Sequence, residues 1–201
     1  MEDNIEEEKT QGPWKFFISI ILLFIIVLFV FPQGAIKINP SPSNIPELNE
    51  LNLTLNTNYT SYSTLYEALQ PNDPQLRDIS NYIIVKSCQD SNKICHAKAL
   101  YLFVRENIIY TSDPINSEYF EHPLQVLSTG GGDCESGSIL LLSMMQSIGI
   151  YGEFVFNPGH AFIKISLPDA PKSVRQNGDF VYLDWTCNSC KFGDLPKNAL
   201  I

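Results

Sequence analysis

From Phe16 to Phe31 the chain reads FFISIILLFIIVLFVF, sixteen residues in which Ser19 is the only polar side chain, with Trp14 and Pro32 extending the run slightly. An α-helix rises about 1.5 Å per residue, so roughly 17 to 19 apolar residues reach across a bilayer core. A secretory signal is built differently: its apolar region is typically ~7–15 residues, follows a basic flank and ends at a small-residue cleavage site. Here Glu2, Asp3, Glu6, Glu7 and Glu8 make the flank acidic, and no such site follows. Residues 14–32 are therefore expected to form a retained single-pass transmembrane helix behind an acidic tail at 1–13, with a cleaved signal peptide as the competing reading. Lys9 and Lys15 precede the span and only Lys37 follows closely. That bias places the N-terminus in the cytoplasm and the bulk of the chain on the far side of the membrane.

Residues 33–60 carry Pro40, Pro42, Pro46 and six asparagines without a sustained period of 3.6 or 2, which reads as an extended linker or stalk. Asn52-Leu-Thr54 and Asn58-Tyr-Thr60 fit the glycosylation acceptor pattern, as matches in an Asn-rich stretch readily do. Residues 61–201 are then one domain's worth of chain, enough to bury a core and too little for two domains. Beyond residue 33 the chain holds 11 basic and 17 acidic residues, with no Lys/Arg cluster. A partner read through a phosphate backbone is thereby excluded, and no nucleic-acid role is expected.

Within the domain, Tyr62 to Leu69 and Pro74 to Lys86 read as short helices, and Ala97 to Ile109 as a stronger one with Leu100, Phe103, Val104 and Ile108 along one side. Cys134 to Ile148 carries Ile139, Leu140, Leu141, Leu142, Met144 and Met145, a density that demands burial on most faces, and Gly149 is placed to stop it. Glu153 to Phe156, Ala161 to Ser166 and Phe180 to Asp184 then read as strands. Helices followed by consecutive strands predict an α+β fold: a central helix packed on an antiparallel sheet, preceded by one transmembrane helix.

The chemistry concentrates at Gly130-Gly-Gly-Asp-Cys134-Glu135, which sets a cysteine where a glycine loop meets the central helix. Unpaired N–H groups and the helix dipole favour a thiolate there, while Asp133 and Glu135 oppose it, so the sulfur needs a cationic or basic partner. His160, in Pro158-Gly159-His160-Ala161-Phe162, opens a strand expected beside that helix. Asp184 ends the next strand and is placed to take the other ring N–H and hold the tautomer. The three follow in the order Cys, His, Asp at spacings of 26 and 24 residues. A thiolate so supported attacks an amide carbonyl, and water or an amine resolves the thioester. The backbone N–H of Cys134 is one oxyanion donor; Gln125 is a weaker suggestion for the second.

These segments, GGDCESGSILLLSMMQSIGI, PGHAFIKI and VYLDWT, resemble the transglutaminase-like superfamily over about residues 95–196. The resemblance implies a papain-like core with Cys134 as nucleophile, His160 as general base and acid, and Asp184 as orienting residue. GDCE resembles the prokaryotic branch more than animal crosslinking enzymes. Ser136 departs from the acidic residue that follows the Glu in many such relatives. The expectation is a membrane-anchored thiol protease, deamidase or acyltransferase on peptide or protein amides; the alternative is a catalytically silent module holding a peptide or cell-wall strand in the same cleft.

Other motifs carry less. Gly130-Gly131-Gly132 lacks the spacing and lysine of a phosphate loop, and no calcium loop or nucleotide fingerprint occurs, so no cofactor or bound metal is expected. Cys187-Asn-Ser-Cys190 beside Trp185 imitates a redox pair without the long helix such a pair heads. Cys88, Cys95, Cys187 and Cys190 form an even set apart from Cys134. Three pairings are open, of which the local ones, 88 with 95 and 187 with 190, are expected; a zinc site using those four, or His96, is the alternative. His122 reads as a surface residue of a polar loop, and His96 as facing solvent.

Overall fold

The computed structural model describes residues 12–30, 39–51, 59, 61–113 and 119–196. The acidic tail up to residue 11, both glycosylation acceptors and the loop at 114–118 lie outside the described residues. The chain divides into two units between Lys37 and Ile38.

The first unit holds α1, Trp14–Val30, whose Ser19 hydroxyl donates to the Lys15 carbonyl one turn back at 3.0 Å. Among the described residues no helix is long and apolar enough to cross a membrane. α1 has 17 residues, which at 1.5 Å each span about 25 Å against a hydrocarbon core of ~30 Å. The described helix thus stops short of the span expected at 14–32, and Phe31 and Pro32 lie outside the described residues.

The second unit is an α+β domain of α2 (Pro74–Ser87), α3 (Lys93–Asn107), β1 (Ile109–Tyr110), α4 (Pro123–Thr129), β2 (Gly131–Gly132), α5 (Cys134–Ser147), β3 (Gly152–Asn157), β4 (His160–Ser166) and β5 (Phe180–Leu183). The last three strands make an antiparallel sheet in the order β3-β4-β5. α5 packs on it and also meets α2, α3 and α4. Eleven of the fourteen α5 residues are buried, which is the burial on nearly all faces that its composition demands. Two of its buried serines find partners in neighbouring elements: Ser138 donates to the Ala161 carbonyl at 3.3 Å, and Ser143 Oγ accepts from the Gln70 N–H at 3.1 Å.

The structure departs from the sequence-based expectation in several places. Tyr62 to Leu69 forms turns rather than a helix. Its first N–H is taken by the Phe120 carbonyl at 3.0 Å, and eight residues are too few to nucleate a helix without tertiary help. Helix α3 begins at Lys93, four residues early, because Asn92 caps it by accepting the Ile94 N–H at 2.9 Å. The glycine run is not a free loop: Gly130 closes α4 in the left-handed conformation at φ 68°, and Gly131 and Gly132 pair in parallel with Ile109 and Tyr110. Part of the stalk is a strap on the domain. Lys98, only 7% exposed, donates through Nζ to Asn39 Oδ1 and the Pro40 carbonyl, both at 2.8 Å, and Asn107 Oδ1 accepts from the Leu48 N–H at 2.7 Å.

His122 is also corrected, from surface residue to helix cap. Its Nδ1 accepts the Leu124 N–H at 3.1 Å, and its ring stacks on Tyr59 with centroids 4.5 Å apart. The cap requires an unprotonated Nδ1, and burial holds the ring's pKa below the usual histidine value, with Asp73 opposing. A histidine pKa depressed by folding supplies stability that is present above about pH 6.5 and lost as pH falls through the folded value. Thermal unfolding should therefore show a plateau above neutrality and a decline below about pH 6.5 worth on the order of 1 kcal/mol. His122→Asn, which caps without titrating, should flatten that decline.

The cysteines pair locally, Cys88 with Cys95 and Cys187 with Cys190, leaving Cys134 as the free thiol. The zinc alternative for those four is thereby set aside, and no metal-holding group of His, Cys, Asp and Glu occurs among the described residues. His96 is half-buried, its Nε2 3.2 Å from the Asp90 carbonyl.

Candidate active site

Cys134 is the first residue of α5, and Asp133 before it is the N-cap, its Oδ1 accepting the Ser136 N–H at 2.7 Å. The position is set from two sides. The β1–β2 ladder ties the glycine run to the end of α3, and the Trp185 indole N–H donates to the Cys134 carbonyl at 3.3 Å. Trp185 reaches that carbonyl by lying over Gly137, where a Cβ would stand 2.2 Å from its ring.

His160 opens β4, and its first ladder partner is Asn157 on β3. The β4–β5 ladder runs from Ser166↔Phe180 to Ile163↔Leu183. Continuing it by one residue sets Asp184 opposite Phe162, and the two-residue period of a strand puts Phe162 and His160 on one face. Asp184 thereby becomes His160's diagonal neighbour, a separation that long side chains bridge. The His160 Nε2 to Asp184 Oδ2 distance is 2.8 Å, with the carboxylate 3% and the imidazole 27% exposed. The other carboxylate oxygen accepts from the Thr186 N–H at 3.0 Å and its hydroxyl at 2.7 Å, and the Tyr101 hydroxyl donates to the Asp184 carbonyl at 3.1 Å. Asp184 is thus buried with both oxygens used, as a buried charge requires. The engaged ring nitrogen is Nε2, so Nδ1 is the one left to exchange a proton.

Residues 78–172 match the family model of the transglutaminase-like superfamily.

The matched stretch contains Cys134 and His160 and ends before Asp184, so Asp184's place rests on the geometry just described. The family suggests cysteine-dependent catalysis in general, and the helices-then-sheet architecture is consistent with its fold. No curated protein and no solved structure matches the chain.

The structure therefore brings His160 and Asp184 into direct contact and sets the cysteine's helix against the same strand. The sulfur's surroundings differ from the expectation of a ready thiolate. Cys134 Sγ donates to Glu135 Oε2 at 3.4 Å. Burial pushes the thiol up to about 11; the Ala161 backbone N–H pulls the other way, and the Glu135 and Asp133 carboxylates add to the rise. Asp133 also takes one of the free N–H groups of the helix terminus for its own cap.

Gln125, considered as an oxyanion donor, gives its amide N–H to Glu121 Oε1 at 3.1 Å and is committed there. Beside the glycine run lies a hollow of about 360 Å³ lined by Asp113, Tyr119, Glu121 and Gly132 among others. Burial, helped by Asp113 and Asp133, raises the Glu121 carboxyl above the usual carboxylate range. Sequence reasoning missed Tyr101, Trp185, Thr186 and Gly137 as parts of this site. Gly137 carried a signal, since a glycine inside a helix costs about 1 kcal/mol and its retention implies a close approach.

Proposed function

We propose that this protein is a transglutaminase-like thiol hydrolase or acyltransferase that acts on peptide or protein amides through Cys134, His160 and Asp184. The observation that carries the reading is the 2.8 Å contact between His160 Nε2 and the buried Asp184 carboxylate, where β4 begins and β5 ends, with the free cysteine heading the helix that packs on β4. With Nε2–H donated to Asp184, the Nδ1 lone pair takes the proton from Cys134 as the sulfur bonds to the amide carbon. The backbone N–H of Cys134 receives the carbonyl oxygen as it becomes an oxyanion. Nδ1–H then protonates the leaving amine as the C–N bond breaks, leaving a thioester. Water resolves it to an acid, or a second amine to a new amide, with the same nitrogen accepting the proton. No cofactor is invoked.

In this reading the protein is of the prokaryotic, membrane-anchored kind, with a cytoplasmic N-terminus and the domain outside. The apolar composition of helix α1 supports the anchor, and two disulfides in the domain fit an oxidising compartment. The 5 Å or so by which α1 falls short is within what local bilayer thinning accommodates.

The test is to trap the acyl-enzyme on intact cells with a mixed library of activated peptide amides, in membrane-permeant and impermeant forms, and to identify the adduct by mass spectrometry. An adduct of acyl mass on Cys134 with both forms is expected. Labelling by the permeant form alone overturns the orientation, and no adduct with either overturns the enzyme. One observation favours the silent-module alternative, namely the hydrogen bond that the Cys134 thiol gives to Glu135; peptide binding that survives Cys134→Ala, with no turnover in either protein, would establish that alternative.

A further inference from the structure

The side chain to which the sulfur gives its hydrogen bond is its own neighbour. Glu135 sits half-buried in the first turn of α5, and its Oε2 accepts the Cys134 thiol hydrogen bond at 3.4 Å. A carboxylate in a helix first turn is stabilised by the dipole, yet here burial, followed by a hydrogen bond and repulsion from Asp133, raises its own pKa. The thiol and a backbone N–H both donate to this group, and accepting those hydrogen bonds offsets part of its desolvation. The surrounding groups reinforce this. On the same helix end is Asp133, whose Oδ1 takes the Ser136 N–H; across Gly132 lies the buried carboxyl of Glu121, 3.6 Å from where a Cβ would be. From β4 come His160 and the Ala161 N–H, and after β5 come Asp184, whose oxygens are spent on His160 and Thr186, and Trp185, whose N–H is spent on the Cys134 carbonyl. No lysine or arginine is among these groups.

We propose that Glu135 is a restraint on the nucleophile: by accepting the thiol hydrogen bond it keeps Cys134 protonated at rest, so that the sulfur acts only when it turns from Glu135 to His160. This rests on the reading of Cys134 as the nucleophile and adds its regulation. In the release step the Glu135···H–S hydrogen bond breaks, the S–H proton passes to His160 Nδ1, and the electron pair stays on sulfur. Glu135 neither gains nor loses a proton in this step. A substrate bearing a cationic side chain next to the reacting amide would release the restraint by pairing with Glu135, whereas an anionic one would not.

Alkylation by iodoacetamide reads this without any substrate, because the other four cysteines are in disulfides and Cys134 is the sole target. The full chain in detergent is titrated from pH 6 to 10. For the wild type the rate is expected to climb through the whole range without a plateau. Glu135→Gln removes the charge and keeps the shape, and should move the profile down by about one unit, which is about tenfold faster labelling at pH 7. Glu135→Asp, which restores the charge, should return the rate toward the wild-type value. A cationic methanethiosulfonate should outpace an anionic one on the wild type, and the ratio should shrink in Glu135→Gln. Superimposed profiles for wild type and Glu135→Gln overturn the restraint. So does a wild-type plateau below pH 8, which requires no variant to fold. Because alkylation displaces iodide and transfers no acyl group, a shifted profile with a failed acyl trap would leave the restraint standing and remove the acyl-transfer reading.

Discussion

Asp184→Asn is expected to lower amide turnover on the order of 10³–10⁴-fold while leaving the fold intact. The asymmetry of the carboxylate's partners gives this its direction. Oδ1 accepts two hydrogen bonds from Thr186, so the asparagine carbonyl oxygen will keep that position and put its NH₂ where Oδ2 faced His160. An NH₂ donates, so His160 must present Nε2 as an acceptor and carry its proton on Nδ1. The nitrogen left to the sulfur then has no lone pair. Steady-state hydrolysis of the amide identified by trapping measures the loss against Cys134→Ala, whose turnover should fall to background. Nitrogen NMR of the imidazole should show the exchanged tautomer. Turnover within threefold of wild type would mean that Asp184 does not orient His160.

Gly137→Ala is expected to destabilise the domain by about 3 kcal/mol, the upper part of the usual range for overpacking. The new methyl group would stand 2.2 to 2.5 Å from Cε2, Cζ2 and Nε1 of Trp185, far inside contact distance. Trp185 is 3% exposed and its Nε1–H holds the Cys134 carbonyl, so the ring cannot swing aside without releasing the start of α5. Loss of stability and loss of thiol positioning should therefore appear together in denaturant unfolding and alkylation rate. Trp185→Leu alone also costs stability, but combined with Gly137→Ala it should cost less than the sum of the two, since the clash is shared. Additive effects would mean that the glycine is kept for some other reason.

The legible part of the site was the part encoded locally. A cysteine after a glycine run and before a saturated apolar segment is a helix N-terminus in almost any context, and α5 begins at Cys134. His160 and Asp184 were recognisable as a strand start and a strand end because β-rich segments bounded by Gly, Pro and Asn delimit themselves. Even the disulfides followed from proximity in the chain, the pairs being 7 and 3 residues apart. What failed were elements whose conformation is imposed by distant partners. The turn at 62–69 depends on Phe120, the cap of α4 depends on His122 being enclosed by Tyr59, and the strap at 39–51 depends on the buried ammonium of Lys98.

The distinction has one physical root. Periodicity, caps and glycine punctuation are properties of a few adjacent residues, and on their own they established a central apolar helix headed by Cys134, three strands after it and an apolar segment before it. Distances between side chains far apart in the chain depend on register and packing, which no short window contains. Only the folded chain decided that Asp184 reaches Nε2 rather than Nδ1, that Trp185 lies on Gly137, and that the thiol donates to Glu135. Burial sets the cost of each charge there, and burial is a property of the whole fold.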